Sequence, residues 1–367
     1  MIMENQTLAK LGNINEPYLG KTLKELDALS FADKLMTITL PYPAKGNEAA
    51  ISQAIRQIIG EDSHSQIAFE YQIRPSARVS AEQPGLANIK NIIAVSSAKG
   101  GVGKSTVTAN LALALQAEGA KVGVLDADLY GPSQAKMFGI DDLRPEINGD
   151  KIKPIKAHGI EIATIANHIT REYTPLIWRG AQLDSALKTL LFNTEWPELD
   201  YLVIDMPPGT GDVQLTISQQ IPVSGAVVVS TPQEIALLDA KKGLKMFHQV
   251  DVPVLGVVEN MNMFICPKCG HEEHIFGHDG AQLMSLQYMV NFLGSLPLDK
   301  RIQEETDSGK PTVMAEPESK IALNFREIAR KVASALYIQD SQAPVVPQTE
   351  EQLKAQSSNQ KTIQWNI

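Results

Sequence analysis

The sequence predicts an α/β protein with a doubly wound, mostly parallel sheet, preceded by a small α/β domain. Three observations carry this. From residue 90 onward, short near-continuous apolar runs alternate with helical stretches. Such runs belong to strands buried on both faces, and helices between them make the sheet parallel. A glycine-rich segment, Ala98–Thr106, joins one of these runs to a helical stretch. Residues 74–88, with Pro75, Pro84 and Gly85, separate this pattern from a shorter one before it.

The elements follow in order. Leu35–Leu40 is β-branched and apolar, closed by Pro41 and Pro43, and is expected as a strand. Asn47–Ile59 places Ala50, Ile51, Ala54, Ile55, Ile58 and Ile59 at helical spacing, and Gly60 stops it. Ile67–Ile73 is expected as a second strand. The strands expected beyond the linker are Asn91–Ser96, Val122–Asp126, Ile160–Ile165, Tyr201–Asp205, Gly225–Ser230, Val254–Glu259 and Phe292–Leu296. A helix over Val107–Glu118 follows the glycine-rich loop and ends at Gly119. No internal repeat is present. The resulting division is 1–80 for the small α/β domain, 81–89 for the linker, 90–338 for the main domain and 339–367 for a tail. The tail holds seven Gln and few large apolar groups, so it is expected to be disordered.

Composition narrows the function classes. The chain of 367 residues carries a net charge of −9, which counts against a general nucleic-acid coat. No apolar run is long enough to span a bilayer, and Met1–Gly12 lacks a basic-then-apolar leader pattern. Two cysteines make no disulfide framework, so a reducing cytoplasm is the expected compartment.

Strand, Gly-rich loop and helix together make Ala98–Thr106 a P-loop. Gly100, Gly101 and Gly103 let the backbone N–H groups of the loop, Val102 and Thr106 included, converge on phosphate oxygens. Lys104 is expected to reach the β and γ phosphates and Ser105 to ligate Mg²⁺. A second lysine, Lys99, sits five residues before Lys104. That feature resembles the deviant Walker A loop of the MinD/ParA/nitrogenase-iron-protein group, in which the extra lysine reaches the partner's nucleotide. Two strands end in acids, giving Asp126 with Asp128 and Asp205. Carboxylates at the C-terminal ends of parallel strands face the ligand crevice. Asp128 is the candidate to orient the attacking water, and Asp126 and Asp205 to support Mg²⁺. Met206–Asp212 has the form of a switch loop. Asn260 is a candidate adenine contact, and the absence of a guanine-type NKxD motif favours ATP.

Both cysteines fall in Cys266-Pro-Lys-Cys269-Gly270. Two thiolates do not complete a tetrahedral site. Two chains together supply the four that a [4Fe–4S] cluster ordinarily takes. Zinc could use the same four, or Cys266 and Cys269 with His271 and His274 of one chain. A redox pair is a third reading.

Taken together, these residues resemble the Mrp/ApbC-type P-loop ATPases, the iron–sulfur cluster carrier proteins. The resemblance runs from about residue 90 to 335. It rests on Lys99–Thr106, Asp126–Ser133, Trp178-Arg-Gly180, Asp205–Asp212, Thr231-Pro-Gln233, Glu259-Asn-Met261, Cys266–Gly270, Ile275-Phe-Gly277 and Leu296-Pro-Leu298. Residues 1–80 resemble the small domain that often precedes it. Ala181 stands where relatives often have Pro, and Asn262 and Asp279 where small residues are expected. The resemblance implies a homodimer that binds a labile [4Fe–4S] cluster through paired Cys266 and Cys269. It implies phosphate contacts from Lys99 and Lys104, and ATP hydrolysis linked to loading the cluster or delivering it to apo-proteins. The charge of −9 and a Gln-rich tail without a basic amphipathic helix make membrane and nucleic-acid partners unexpected. The rival readings are a ParA/MinD-like positioning ATPase with a structural zinc, and a nitrogenase-type reductase.

Overall fold

The computed structural model describes residues 5–32, 35–60, 65–80, 83, 85–129, 131–167 and 180–342. The N-terminal unit consists of α1 (Asn5–Gly12), β1 (Leu29–Ala32), β2 (Leu35–Leu40), α2 (Glu48–Ile59) and β3 (Gln66–Tyr71). Its sheet has the order β1-β2-β3, with β1 antiparallel and β3 parallel to β2. In β2 the alternate residues Met36, Ile38 and Leu40 point inward, and α2 turns Ile51 and Ile55 onto them. The expected strand Ile67–Ile73 stops at Tyr71, because its partner β2 ends at Leu40, before Pro41. Neither α1 nor β1 was legible in the sequence. The four-residue β1 is an edge strand with three exposed residues, so it carries no apolar alternation.

The main unit contains β4 (Ile89–Ser96), α3 (Lys104–Ala117), β5 (Val122–Asp126), α4 (Gln134–Met137), β6 (Ile147–Asn148), β7 (Lys151–Ile152), β8 (Ile155–Ala157), β9 (Ile160–Thr164), α5 (Gly180–Phe192) and β10 (Leu199–Asp205). It continues with α6 (Asp212–Gln220), β11 (Gly225–Ser230), α7 (Glu234–Gln249), β12 (Val254–Glu259), β13 (Phe264–Ile265), β14 (Glu272–Glu273), α8 (Gly280–Tyr288), β15 (Phe292–Ser295), α9 (Lys300–Asp307), α10 (Thr312–Ala315) and α11 (Lys320–Gln342). The large sheet has the order β15-β12-β11-β4-β10-β5-β9-β8 and is parallel except for β8. Ile93 and Val95 of β4 enter one core, and Ile92 and Ala94 the core on the opposite face. A strand buried on both faces has this composition. The α3 helix begins at Lys104, three residues before the expected Val107, because the P-loop runs directly into its first turn. It is apolar nearly all round, since it lies between the sheet and α11.

Two expectations change. Within the segment of linker composition, Leu86 is fully buried and the Ser76 N–H donates to the Lys90 carbonyl at 2.9 Å, so that stretch is packed against the sheet. Residues 339–342, assigned to the tail, are the last turn of α11. Its core stripe of Phe325, Ile328, Ala329, Val332 and Leu336 ends just before them. Residues 343–367 lie outside the described residues, as do Tyr130, Trp178 and Arg179.

The two units share one core, in which Leu11, Ile38, Tyr42 and Ile55 meet Leu113, Phe325 and Val332. Beside it lies a buried ionic knot. Glu118, after α3, accepts from Arg326 Nε and Arg330 Nη1 at 2.7 Å each, and from the Gly46 N–H of the N-terminal unit at 2.7 Å. Removing one partner of a buried charge cluster strands the others. Glu118→Ala is therefore expected to lower the unfolding free energy by about 3–5 kcal/mol in urea titrations. Glu198→Ala, which breaks only the exposed Lys121–Glu198 pair, is expected to cost under about 1 kcal/mol.

Candidate nucleotide site and cysteine knuckle

The sheet order sets the site. β10 lies between β4 and β5, so the P-loop after β4 and the acids ending β10 and β5 are neighbours. Gly101 and Gly103 adopt φ of +80° and +82°, a region that favours glycine. At Gly103 a Cβ would also fall 2.2 Å from Asn260 Nδ2. Ser97 Oγ donates to the Lys99 carbonyl at 3.0 Å, bending the start of the loop. Lys99 itself is half-buried, while Gly100 and Gly101 are exposed.

Lys104 is buried, and its ammonium pairs with Asp205. The Asp128 carboxylate lies 3.9 Å and Ser105 Oγ 3.3 Å from Nζ. Asp205, fully buried, also accepts from Thr108 Oγ1 at 3.1 Å and Gln134 Nε2 at 2.8 Å. Asp126, fully buried too, accepts from the backbone N–H of Asp128, Ser133 and Gln134 and from Thr164 Oγ1, at 3.1–3.2 Å. Burial, reinforced by the neighbouring Asp205, pushes the Asp126 carboxyl up to about 7 despite those donors and Lys104. Two carboxylates in so small a space favour a cation beside them, and a divalent ion held with Ser105 fits this donor set.

The raised carboxyl has a pH consequence. Asp126 holds its proton more tightly folded than unfolded. Its contribution to stability is full below the ordinary carboxylate value of 3.8 and is lost as the pH rises through about 7. The nucleotide-free protein is therefore expected to show a higher urea midpoint at pH 6 than at pH 8. Asp126→Asn is expected to flatten that difference, and an unchanged slope in the variant would assign it elsewhere.

Two buried glutamines escaped the sequence reading. Gln134 bridges Asp205 Oδ2 and the Ser105 carbonyl, the latter at 3.1 Å. Gln214 donates to the Pro207 carbonyl and to Ser96 Oγ. Each leaves a buried Oε1 without a protein partner. The sequence carries no signal for either: each sits in a first helical turn beside a charged residue, Lys136 for Gln134 and Asp212 for Gln214, which ordinarily marks a solvated face. The segment after β10 is fastened to the P-loop shoulder, where the Gly209 N–H donates to the Ser97 carbonyl at 2.9 Å. Asn260 lies beside the P-loop, its amide donating to the Val102 carbonyl at 2.9 Å.

The cysteines occupy a small hairpin. Phe264 pairs with Glu273 and Ile265 with Glu272. At its tip the Cys266 N–H donates to the His271 carbonyl at 2.9 Å, and the Gly270 N–H to the Cys266 carbonyl at 2.8 Å. Gly270 adopts φ of +70°, closing the turn. Both thiols are free, Cys266 half-buried and Cys269 exposed. The backbone N–H of Lys268, then the N–H and thiol of Cys269, hold the Cys266 thiol below its usual range. Among the described residues no three His, Cys, Asp or Glu side chains converge on a metal position. The one-chain arrangement with His271 and His274 is therefore not assembled among them; His274 Nδ1 is bonded to the Asn262 carbonyl at 2.8 Å.

A P-loop opening a helix, with acid-ending strands in the order β4-β10-β5, defines a P-loop NTPase of the MinD/ParA fold. Two solved structures share it. One is a nucleotide-binding protein from Archaeoglobus fulgidus in complex with ADP, 37% identical, with a TM-score of 0.56, covering 66% of this chain and 95% of its own. The other is the cell division ATPase MinD of Pyrococcus furiosus, 26% identical, with a TM-score of 0.51, covering 66% and 98%. An iron-sulfur cluster carrier protein of Haemophilus influenzae is 50% identical over 350 residues, 93% of this chain and 94% of that protein. Residues 88–333 match the ParA family model described as NUBPL iron-transfer P-loop NTPase, and the chain belongs to that family.

Proposed function

We propose that this chain is an ATP-hydrolysing carrier of iron–sulfur clusters. Two copies would hold one labile [4Fe–4S] cluster through Cys266 and Cys269 of each, and pass it to apo-proteins in the cytoplasm. In this reading residues 1–80 are an accessory domain and 90–338 the ATPase domain. The carrying observation is the knuckle itself. It presents two free thiols at the surface, with no third ligand from the same chain among the described residues. An incomplete site of this kind is completed by a second copy, and a site open at a surface can release its cargo.

The nucleotide chemistry follows from the site. Lys104 leaves Asp205 to bind the β and γ phosphates, and the loop N–H groups around Gly100–Thr106 cradle them. Mg²⁺, held by Ser105 with Asp126 and Asp205 behind it, supplies charge neutralisation at those phosphates. Asp128, at the rim of the acid group, orients the attacking water. Lys99, half-buried beside the exposed Gly100 and Gly101, is suited by its place in the loop to a partner's nucleotide. Asn260 is suited to the adenine edge through its carbonyl oxygen, with its amide anchored on Val102.

The test is a metal count after anaerobic reconstitution with iron and sulfide. About two iron and two sulfide per chain in a dimer, with the spectrum of a cubane cluster, supports the reading. About half a zinc per chain and no stable iron would replace it with a positioning ATPase pinned by a structural zinc. Electron transfer coupled to turnover would favour a reductase.

A further inference from the structure

The segment that leads from β12 to the knuckle rests on the P-loop before it reaches the cysteines. Asn260 donates to the Val102 carbonyl at 2.9 Å. The Met261 methyl group lies 3.6 Å from where a Gly103 Cβ would stand. Asn262 is the junction that follows. Its side-chain amide donates to Glu259 Oε1 at 2.5 Å, and its carbonyl accepts from His274 Nδ1 at 2.8 Å. Glu259 is fully buried, and its other oxygen accepts the Ala281 N–H in the first turn of α8 at 2.7 Å. The Asn262 N–H donates to the Leu296 carbonyl at 3.0 Å, and the Leu298 N–H to the Met263 carbonyl at 2.8 Å. The knuckle is thus tied at one end to the phosphate loop. Its returning strand is tied to Asn262 through His274.

We propose that Asn262 and His274 are positioning residues that make the C-x-x-C knuckle follow the P-loop, so that the nucleotide state sets the exposure of Cys266 and Cys269. This rests on the reading of the P-loop as a nucleotide site and of the knuckle as the cargo site. Only residues 263–265 separate Asn262 from Cys266, and they are paired to β14 or to the segment after β15. A shift of the Val102 carbonyl therefore has no slack loop in which to dissipate. Without the His274 contact, β14 is held to this junction only through its pairing with β13, while β13 keeps the Met263–Leu298 bond. Coupling needs a differential contact in the two states; the γ-phosphate on the loop would supply it, and the Asn260–Val102 bond would carry the loop's shift to the knuckle.

The test reads the thiols directly and needs no cluster. In the full-length reduced apo-protein, the iodoacetamide alkylation rates of Cys266 and Cys269 are compared with ADP and with a non-hydrolysable ATP analogue bound. The parent is expected to show a rate ratio of about fivefold or more, the lower end of ordinary site-to-site coupling. His274→Ala and Asn262→Ala are expected to bring the ratio to about one, with nucleotide affinity and ATP turnover unchanged. His274→Asn, whose amide nitrogen reproduces the Nδ1 donor, is expected to retain the ratio. A parental ratio near one, a His274→Ala protein that keeps the parental ratio, or loss in His274→Asn as well would overturn the proposal. Failure to load iron and sulfide with the ratio intact would overturn the carrier reading and leave this one standing. Normal loading with no ratio would do the reverse.

Discussion

Replacing Lys104 by alanine is expected to abolish ATP hydrolysis, by about 10²–10³-fold or more, the cost of removing one preorganised donor from a developing charge. The loss follows from position, since Lys104 is the cation at the point where the glycine loop enters α3. The substitution has a second effect. Lys104 also neutralises Asp205 beside Asp126, and an unpaired buried carboxylate costs about 3–5 kcal/mol. The alanine protein should therefore unfold at lower urea, most at alkaline pH, where Asp126 must ionise without the lysine beside it. Lys104→Arg separates the two roles. Its guanidinium keeps the charge but not the compact ammonium that fits between loop and phosphate. It is expected to keep most of the parental unfolding midpoint and to lose turnover. Cluster loading in a folded Lys104→Ala dimer is expected to persist, because neither cysteine touches this site. Absence of iron from that dimer would make nucleotide a requirement for loading.

Cys266→Ala and Cys269→Ala are each expected to reduce reconstituted iron and sulfide to background. In a shared site each substitution removes two of the four thiolates, one from each copy. The loss should exceed the roughly 10–100-fold that even an outer-shell change costs a metal site. ATP turnover and the unfolding midpoint should stay near parental, since Cys269 is exposed and Cys266 half-buried on a two-stranded hairpin outside the core. Single substitutions that each leave half the iron would instead indicate two independent sites per chain, one on each cysteine.

The parts of the fold that were legible are those where one physical pattern dominates. β5, β11 and β12 have their expected bounds, Val122–Asp126, Gly225–Ser230 and Val254–Glu259. A strand buried on both faces must be apolar throughout, and its polar ends mark its limits. The P-loop was legible because its glycines, lysine and serine are consecutive and locally determined. Misplaced limits arose where partners decide them. β3 stops where β2 stops, and α11 runs past Ile338, its last residue packed on the core, to a turn in which Asp340 accepts from Ser76 Oγ of the preceding segment. β1 was missed because an exposed four-residue edge strand has no inward face to announce it.

The sequence alone determines the chemistry available to this protein. A contiguous loop fixes three glycines, two lysines and a serine against any bound phosphate, and a C-x-x-C spacing holds two thiols together. These are short-range relations, set by covalent connection and turn geometry. Only the tertiary structure decided what those groups stand beside. It placed Asp126 and Asp205 on strands flanking one another, closed Gln134 over Asp205 and Ser105, and laid Asn260 and Met261 across the P-loop from 158 residues away in the chain. Contacts at that separation depend on strand order and helix packing, and a polar residue in a linear sequence carries no mark of the distant partner it will meet.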